Sequence, residues 1–232
     1  MDAFDASRSL PQLSLLQQYD AAFVWSSGGK AYPLAGGLGD VLAQYWDGGG
    51  AVVLAGDANS GGKLTGRFAS PAAGYMLLDG SPPAAQGDTG ADSLLRDFAG
   101  SPLLAGVGRL GARQNWHVPG APINGAVEVA SVASGDWGPG WPLVLLGAKA
   151  GRPLVALNMY PVSAAASGSG WTGDGAALLA NAVLASVCAA CGAKYGGTGE
   201  SARVPSARVD AARAAPGVGT ASPKRPRVQI GN

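Results

Sequence analysis

At 232 residues, the chain is long enough for one α/β domain with room for a tail and for a sizeable buried core, and too short to suggest two domains. It is 47% hydrophobic and only 13% charged, with 38 glycines and 16 prolines, which describes an Ala/Gly-rich globular protein with many turns. A formal net charge of +1 implies no broad electrostatic partner, so neither nucleic acid nor a membrane is expected to bind.

The first ten residues, MDAFDASRSL, carry acid rather than a basic stretch followed by an apolar one, so no secretory signal is visible. Tyr19-Asp20 precedes AAFVW, an apolar run ending in SSGGK, which predicts a buried strand leading into a loop. Leu38, Val41, Leu42 and Tyr45 recur at helical spacing, Gly48 to Gly50 stop that helix, and AVVLA follows as a second strand. Such a βαβ unit implies a parallel sheet with a right-handed crossover, and fully apolar strands need cover on both faces.

The stretch Val52 to Thr65, VVLAGDANSGGKLT, approaches a phosphate-binding loop. That loop needs G-x-x-x-x-G-K-[ST], with backbone amides around the phosphates, a lysine on the outer ones and a hydroxyl for magnesium. Gly56 and Gly61 are correctly spaced, but Gly62 takes the lysine position, and the register of Gly62-Lys63 loses the first glycine and puts Leu64 at the hydroxyl. A plain glycine-rich connection is the better reading. As a nucleophile elbow, Ser60 in ANSGG matches only the second glycine of G-x-S-x-G. His117 is the sole histidine and the only base a His-assisted Ser60 could use, yet between Trp116 and Pro119 it reads first as a packing residue. Asp57 ends the strand where open α/β sheets bind ligands, although an aspartate there commonly caps the turn through its own backbone.

From Gly56 to Gly90, glycine and proline are too dense for long elements, leaving loops with one short strand near Tyr75 to Leu78. Asp92 is placed to cap a short helix running to Phe98. Trp116, Trp137, Trp141 and Trp171 form either an aromatic patch for a sugar or protein partner or, more simply, loop packing over the sheet edge. PLVLLGAK and RPLVALNMY, joined at Ala150-Gly151, predict an antiparallel hairpin and so a mixed sheet.

Asp174 opens the strongest helix, with Leu178, Leu179, Val183, Leu184 and Val187 as an apolar stripe. The low-polarity run Leu178 to Ala190 contains Asn181 and falls short of the roughly 20 residues that cross a bilayer. Cys188 and Cys191 sit in the last turns, where the helix dipole opposes thiolate formation, so they read as buried small residues. With a single distant histidine, no metal site is expected, and two cysteines are compatible with a reducing compartment.

Beyond Gly192, seven basic residues face only Glu200 and Asp210, a surplus near +5 that leaves the body near −4. Residues 193–232 are therefore expected to be a basic, disordered tail behind a domain of residues 1–192. Within it PKRPRV, carrying Lys224, Arg225 and Arg227, resembles a short nuclear-import or acidic-surface-binding segment, and without interleaved aromatics it offers no stacking on bases.

Tyr19-Asp20 with FVWSSG, the helix LGDVLAQYWDGGGAVVLA, the loop GGKLTGRF, the segment SPLLAGV, the strand PLVALNMYPVS and the helix WTGDGAALLANAVL follow one another in a familiar order. Over about residues 4 to 188, the chain resembles class I glutamine amidotransferase-like, or ThuA-like, domains. The resemblance implies a flavodoxin-like three-layer α/β/α fold with a mostly parallel sheet, joined here by the antiparallel hairpin and the tail. In catalytic members, a cysteine on the elbow works with a histidine from a later loop. AVVLAGDANS has no cysteine there, and Ser101-Pro102 stands where the ThuA-like group often has His-Pro. The resemblance thus implies a non-catalytic member without a cofactor, an interaction or scaffold module in a larger protein assembly, as in some ciliary transport proteins. The alternative is a ThuA-like hydrolase or sugar-binding module with Asp57, Ser60 and His117 around one cleft. A cytoplasmic location is expected first, with cilium and nucleus as alternatives. MDAFDAS resembles the family's second strand, so the first, central strand is expected to be missing and the sheet to be rearranged or completed by a partner.

Overall fold

A computed structural model of the chain describes residues 2–26, 36–60, 63–80, 85–88, 94–95, 100–132, 140–188 and 228–231. In chain order its elements are β1 (Asp2–Asp5), α1 (Leu13–Leu16), β2 (Ala21–Ser26), α2 (Leu38–Asp47), β3 (Ala51–Gly56), β4 (Ala85–Gly87), β5 (Leu94–Leu95), β6 (Leu110–Arg113), β7 (Asn115–His117), β8 (Val127–Val132), β9 (Trp141–Lys149), β10 (Arg152–Leu157), α3 (Ala164–Ser167), β11 (Gly170–Gly173), α4 (Gly175–Ser186) and β12 (Val228–Gly231). Eight strands make one sheet in the order β1-β12-β2-β3-β10-β9-β8-β5. The first five are joined in parallel, and β9, β8 and β5 extend the sheet antiparallel. Two further antiparallel pairs, β11 with β6 and β4 with β7, stand outside it. The protein is therefore α/β, with the mixed sheet expected from the hairpin.

The runs AAFVWS and AVVLAG are apolar on both faces because both faces are covered. Ala22, Val24, Val52 and Leu54 pack with Leu38, Leu42, Tyr45 and Trp46 of α2. Their alternates Ala21, Phe23, Ala51 and Val53 pack with Leu178, Ala182 and Val183 of α4. Each fully buried leucine in these layers contributes about 1.5–3 kcal/mol. The start of α2 also holds the following loop: the Gly39 amide donates to the Thr65 carbonyl and the Arg67 amide to the Asp40 carboxylate. A Cβ on Gly39 would lie 2.3 Å from that carbonyl oxygen, so only glycine permits the approach.

The turn between β9 and β10 has positive φ at both central residues, 50° at Ala150 and 73° at Gly151, which suits the twist of a two-residue hairpin. Alanine is the unfavourable residue there, because its Cβ crowds the carbonyl in the left-handed region. Ala150→Asn is expected to stabilise the protein by about 0.5–1 kcal/mol, read as a higher denaturation midpoint at unchanged slope.

Several expectations are corrected. Tyr75 to Leu78 does not form a strand: Leu78 makes one isolated bridge to Pro122, and the segment is apolar because it is buried against α2, with Tyr75 edge-on to Trp46 and stacked on Phe68. No helix runs through Leu94 and Leu95, which form β5 against Val132 and Ser131 of β8, so long-range pairing overrides the local capping signal of Asp92. On α4, Leu184 and Val187 are 51% and 41% exposed, while Ala182, Ala185 and Ser186 are buried in their place. A helix apolar nearly all round carries no period that selects its inner face. Asp174 makes no side-chain cap to α4, its carboxylate accepting instead from the amides of Gly108 and Arg109, 2.8 Å from each.

The largest correction concerns the tail. Residues 228–231 are a strand inside the main sheet, hydrogen-bonded in parallel to β1 on one side and β2 on the other, with Ile230 in the core. A boundary at residue 192 thus does not separate the far end of the chain from the domain. The position between β1 and β2 leaves backbone donors and acceptors needing partners on both sides, and a Val-Gln-Ile run supplies them. Lys224, Arg225, Arg227 and Cys191 lie outside the described residues. No described helix is long and apolar enough to cross a membrane.

Candidate functional site

Strands β2, β3 and β10 run in parallel, so their carboxyl ends lie side by side, with Ser26 opposite Gly56 and Leu157 opposite Ala55. This is the end at which open α/β sheets bind ligands. The chain leaves β3 by a sharp turn at Gly56, with φ 53° and ψ −132°, into a single 3-10 turn over Asp57–Asn59. A Cβ on Gly56 would stand 3.2 Å from the Tyr160 Cα and 3.3 Å from the Met159 carbonyl oxygen. The apex of the strand-to-helix turn is therefore a glycine. Ser60 follows four residues later, buried, its amide donating to the Asp57 carbonyl, and it is not the elbow residue.

Asp57 is 1% exposed, and neither carboxylate oxygen has a hydrogen-bond partner among the described residues. It does not cap its turn through the side chain, contrary to the simpler expectation. Burial raises its pKa to about 6, with the charge of Lys63 pulling the other way. Asn59 is also buried; its Nδ2 donates to the carbonyls of Gly56 and Leu157, 3.1 Å from each, leaving its Oδ1 without a donor among the described residues. On the neighbouring strand the buried Ser26 hydroxyl likewise has no partner among them. Sequence reasoning missed Ser26 and Asn59. Their signal was position alone: a small polar residue at the end of one apolar run, and an asparagine two beyond Asp57 at the end of the next.

His117 lies in β7, buried and edge-on to Trp141 with ring centroids 5.0 Å apart. Burial lowers its pKa to about 4, so the imidazole is neutral at physiological pH. Two asparagines dock β7 onto the residues leaving β10. Asn158 accepts from the Val118 amide at 2.7 Å and donates to the carbonyls of Val118 and Pro142, 2.9 Å from each. Asn115 accepts from the Tyr160 amide at 2.7 Å and donates to the Tyr160 carbonyl at 3.3 Å. Residues 157–160 thus carry Asn59 and Gly56 as neighbours as well as Asn115 and Val118. Asp57, Ser60 and His117 are anchored to the same end of the sheet, the first two through β3 and the third through Asn115 and Asn158.

Two of the tryptophans have packing partners of their own. Trp141 meets His117, and the Trp171 indole donates to the Pro161 carbonyl while its ring fills the space a side chain on Gly175 would need. Trp116 is half-buried in β7 opposite Gln86, and Trp137 lies outside the described residues. Cys188 is half-buried and a free thiol. Among the described residues no three His, Cys, Asp or Glu side chains are grouped to hold a metal ion.

At the opposite end of the sheet, a cavity of about 660 Å³ is lined by Gln17, Tyr19, Tyr45, Gly50, Arg152 and Val187. The Arg152 guanidinium there donates to the carbonyls of Trp46 and Gly50 and lies 4.1 Å over the Trp46 ring. That charge is already engaged in holding the α2 to β3 connection.

No protein-family model matches the chain, and no curated protein matches it. Among solved structures, it is similar to the cytoplasmic protein STM3548 from Salmonella typhimurium, at 13% identity over 77% of this chain and 76% of that one, with a TM-score of 0.52. At that identity the likeness is one of fold, and the fold is α/β.

Proposed function

We propose that the chain is a class I glutamine amidotransferase-like domain without a catalytic nucleophile, acting as an interaction or scaffold module in a larger protein assembly. The observation that carries this reading is Gly56. The elbow after the third strand is where such enzymes place their cysteine, and here its apex has no side chain, with the Tyr160 backbone packed against the place one would occupy. Support for the flavodoxin-like, three-layer form comes from five parallel strands with α2 and α4 packed on alternate residues of β2 and β3. Exposed Leu184 on α4 and Val187 just beyond its end offer apolar contact to a protein partner. A cytoplasmic setting is in keeping with the name of the similar Salmonella protein.

The test pairs a glutamine-hydrolysis assay of the purified chain with native mass spectrometry of the tagged protein from its own cells. No ammonia release and a stoichiometric assembly are expected; hydrolysis that disappears in Ser60→Ala or His117→Ala sinks the proposal. Two substitutions at the apex extend it. Gly56→Ala is expected to destabilise by about 1–3 kcal/mol in a urea titration, since a Cβ at φ 53° is both strained and crowded. Gly56→Cys, for the same reason, is expected to create no glutaminase.

A second reading, a ThuA-like hydrolase or sugar-binding module, is favoured by the anchoring of Asp57, Ser60 and His117 to one end of the sheet. Under it, hydrolysis or sugar binding would depend on all three.

A further inference from the structure

Three buried polar residues adjoin Gly56 through strand register, sequence or a hydrogen bond. Ser26 lies opposite it on β2, Asp57 follows it, and the Asn59 amide is hydrogen-bonded to its carbonyl. Between them these residues hold two carboxylate oxygens, one amide oxygen and one hydroxyl that are out of contact with solvent and without partners among the described residues. Buried polar groups in native proteins are nearly always satisfied, and a buried carboxylate with no donor at all is the most costly exception. Such a set is complete only when something brings donors to it.

The chemistry of the set selects what that is. Three of its four atoms can only accept, so a ligand of acceptors such as a phosphate or a carboxylate is excluded by both charge and hydrogen bonding. A divalent cation asks for six or more oxygens, and among the described residues no three His, Cys, Asp or Glu side chains are grouped to hold one. A neutral sugar would bring donors and leave the buried charge uncompensated. A primary ammonium brings three donors and one positive charge to two carboxylate oxygens, an amide oxygen and a hydroxyl. The chain's nearby ammonium, that of Lys63, acts on Asp57 only through its field and makes neither an ion pair nor a hydrogen bond with it.

We infer that Ser26, Asp57 and Asn59, at the carboxyl ends of β2 and β3, form a binding site for a small molecule bearing a protonated primary amine. The inference is independent of the scaffold reading. A domain that has no nucleophile can keep a ligand site at the same end of its sheet.

The experiment follows the Asp57 carboxyl carbon by NMR in the full chain as pH is varied, with Asp57→Asn used to assign the resonance. Methylammonium chloride is the probe, with sodium chloride, magnesium chloride and glucose as controls at matched concentration. Saturating methylammonium is expected to lower the Asp57 midpoint by about one pH unit or more, with an apparent Kd that Ser26→Ala weakens roughly three- to tenfold. Thermal stabilisation of the wild type by methylammonium at about pH 8, reduced in Ser26→Ala, is the second readout and needs no resonance assignment. A midpoint unmoved by methylammonium overturns the inference. So does one moved equally by magnesium or glucose, the latter favouring the sugar-binding alternative. A midpoint already in the ordinary carboxylate range without added amine also overturns it, because Lys63 then fills the site.

Discussion

Asp57→Asn will stabilise the fold by up to about 3 kcal/mol at pH 8 and leave it nearly unchanged at pH 4. The carboxyl group is buried without donors among the described residues, so its charged form is disfavoured in the folded protein and its pKa rises from 3.8 to about 6. For an acid raised in this way, the unfolded chain ionises first as pH increases, and the folded state binds the extra proton between the two values. Stability therefore falls as pH rises from about 4 to about 6 and stays reduced above that. A gap of one pH unit between the folded and unfolded midpoints corresponds to about 1.4 kcal/mol, which sets the size of the gain on removing the charge. Urea titrations of both proteins at the two pH values measure it. An equal effect at both would mean that the charge is not what the substitution relieves. A residue whose removal stabilises the protein only where it is ionised is retained for something other than folding.

Asn158→Ala should cost about 2–4 kcal/mol. Its side chain is fully buried and answers three backbone groups: the amide and carbonyl of Val118 and the carbonyl of Pro142. Truncation leaves the buried Val118 amide without its acceptor and takes one donor from each carbonyl, the Val118 carbonyl keeping the Gly120 amide at 2.9 Å, and a buried group left without a partner costs about 1–3 kcal/mol. Because Asn158 docks the segment that carries His117, the same substitution should loosen the His117 and Trp141 contact. Hydrogen exchange at the Val118 amide should then accelerate more than exchange in β2 and β3. A loss below about 1 kcal/mol, or uniform acceleration, would show that β7 is held by something else.

How far these features could be read in advance follows from the range of the forces involved. Strands β2, β3, β9 and β10 and helix α2 were legible because apolar runs, helical spacing and glycine stops are local patterns, and each agrees with its place in the sheet. Leu94 and Leu95 were not, since their state is set by β8, more than thirty residues away. The inner face of α4 was only half legible because the helix is apolar nearly all round: Leu178 and Val183 are buried as expected, while Ala182, Ala185 and Ser186 are buried where Leu184 and Val187 were expected. At the site, Asp57 stood out by position, at the exit of a strand. Its partners Ser26 and Asn59 acquire meaning only once two strands are in register and an asparagine reaches across to Leu157. Val228 to Gly231 was hidden by its surroundings: four residues of strand at the end of a polar, proline-containing stretch carry too little pattern to stand apart from it.

The placement of β12 between β1 and β2 has a consequence for how the protein is made. Translation delivers the first 26 residues some 200 codons before Val228 to Gly231. At ribosomal rates of about 5–20 residues per second, β2 waits on the order of 10–40 s with one backbone edge unpaired, while β1 has no neighbour at all. The nascent chain can assemble β2, β3, β10 and the helices on them during that interval, but the sheet closes only after synthesis has passed Gly231. Until then the open edge of β2 presents unpaired amides and carbonyls to any other strand it meets.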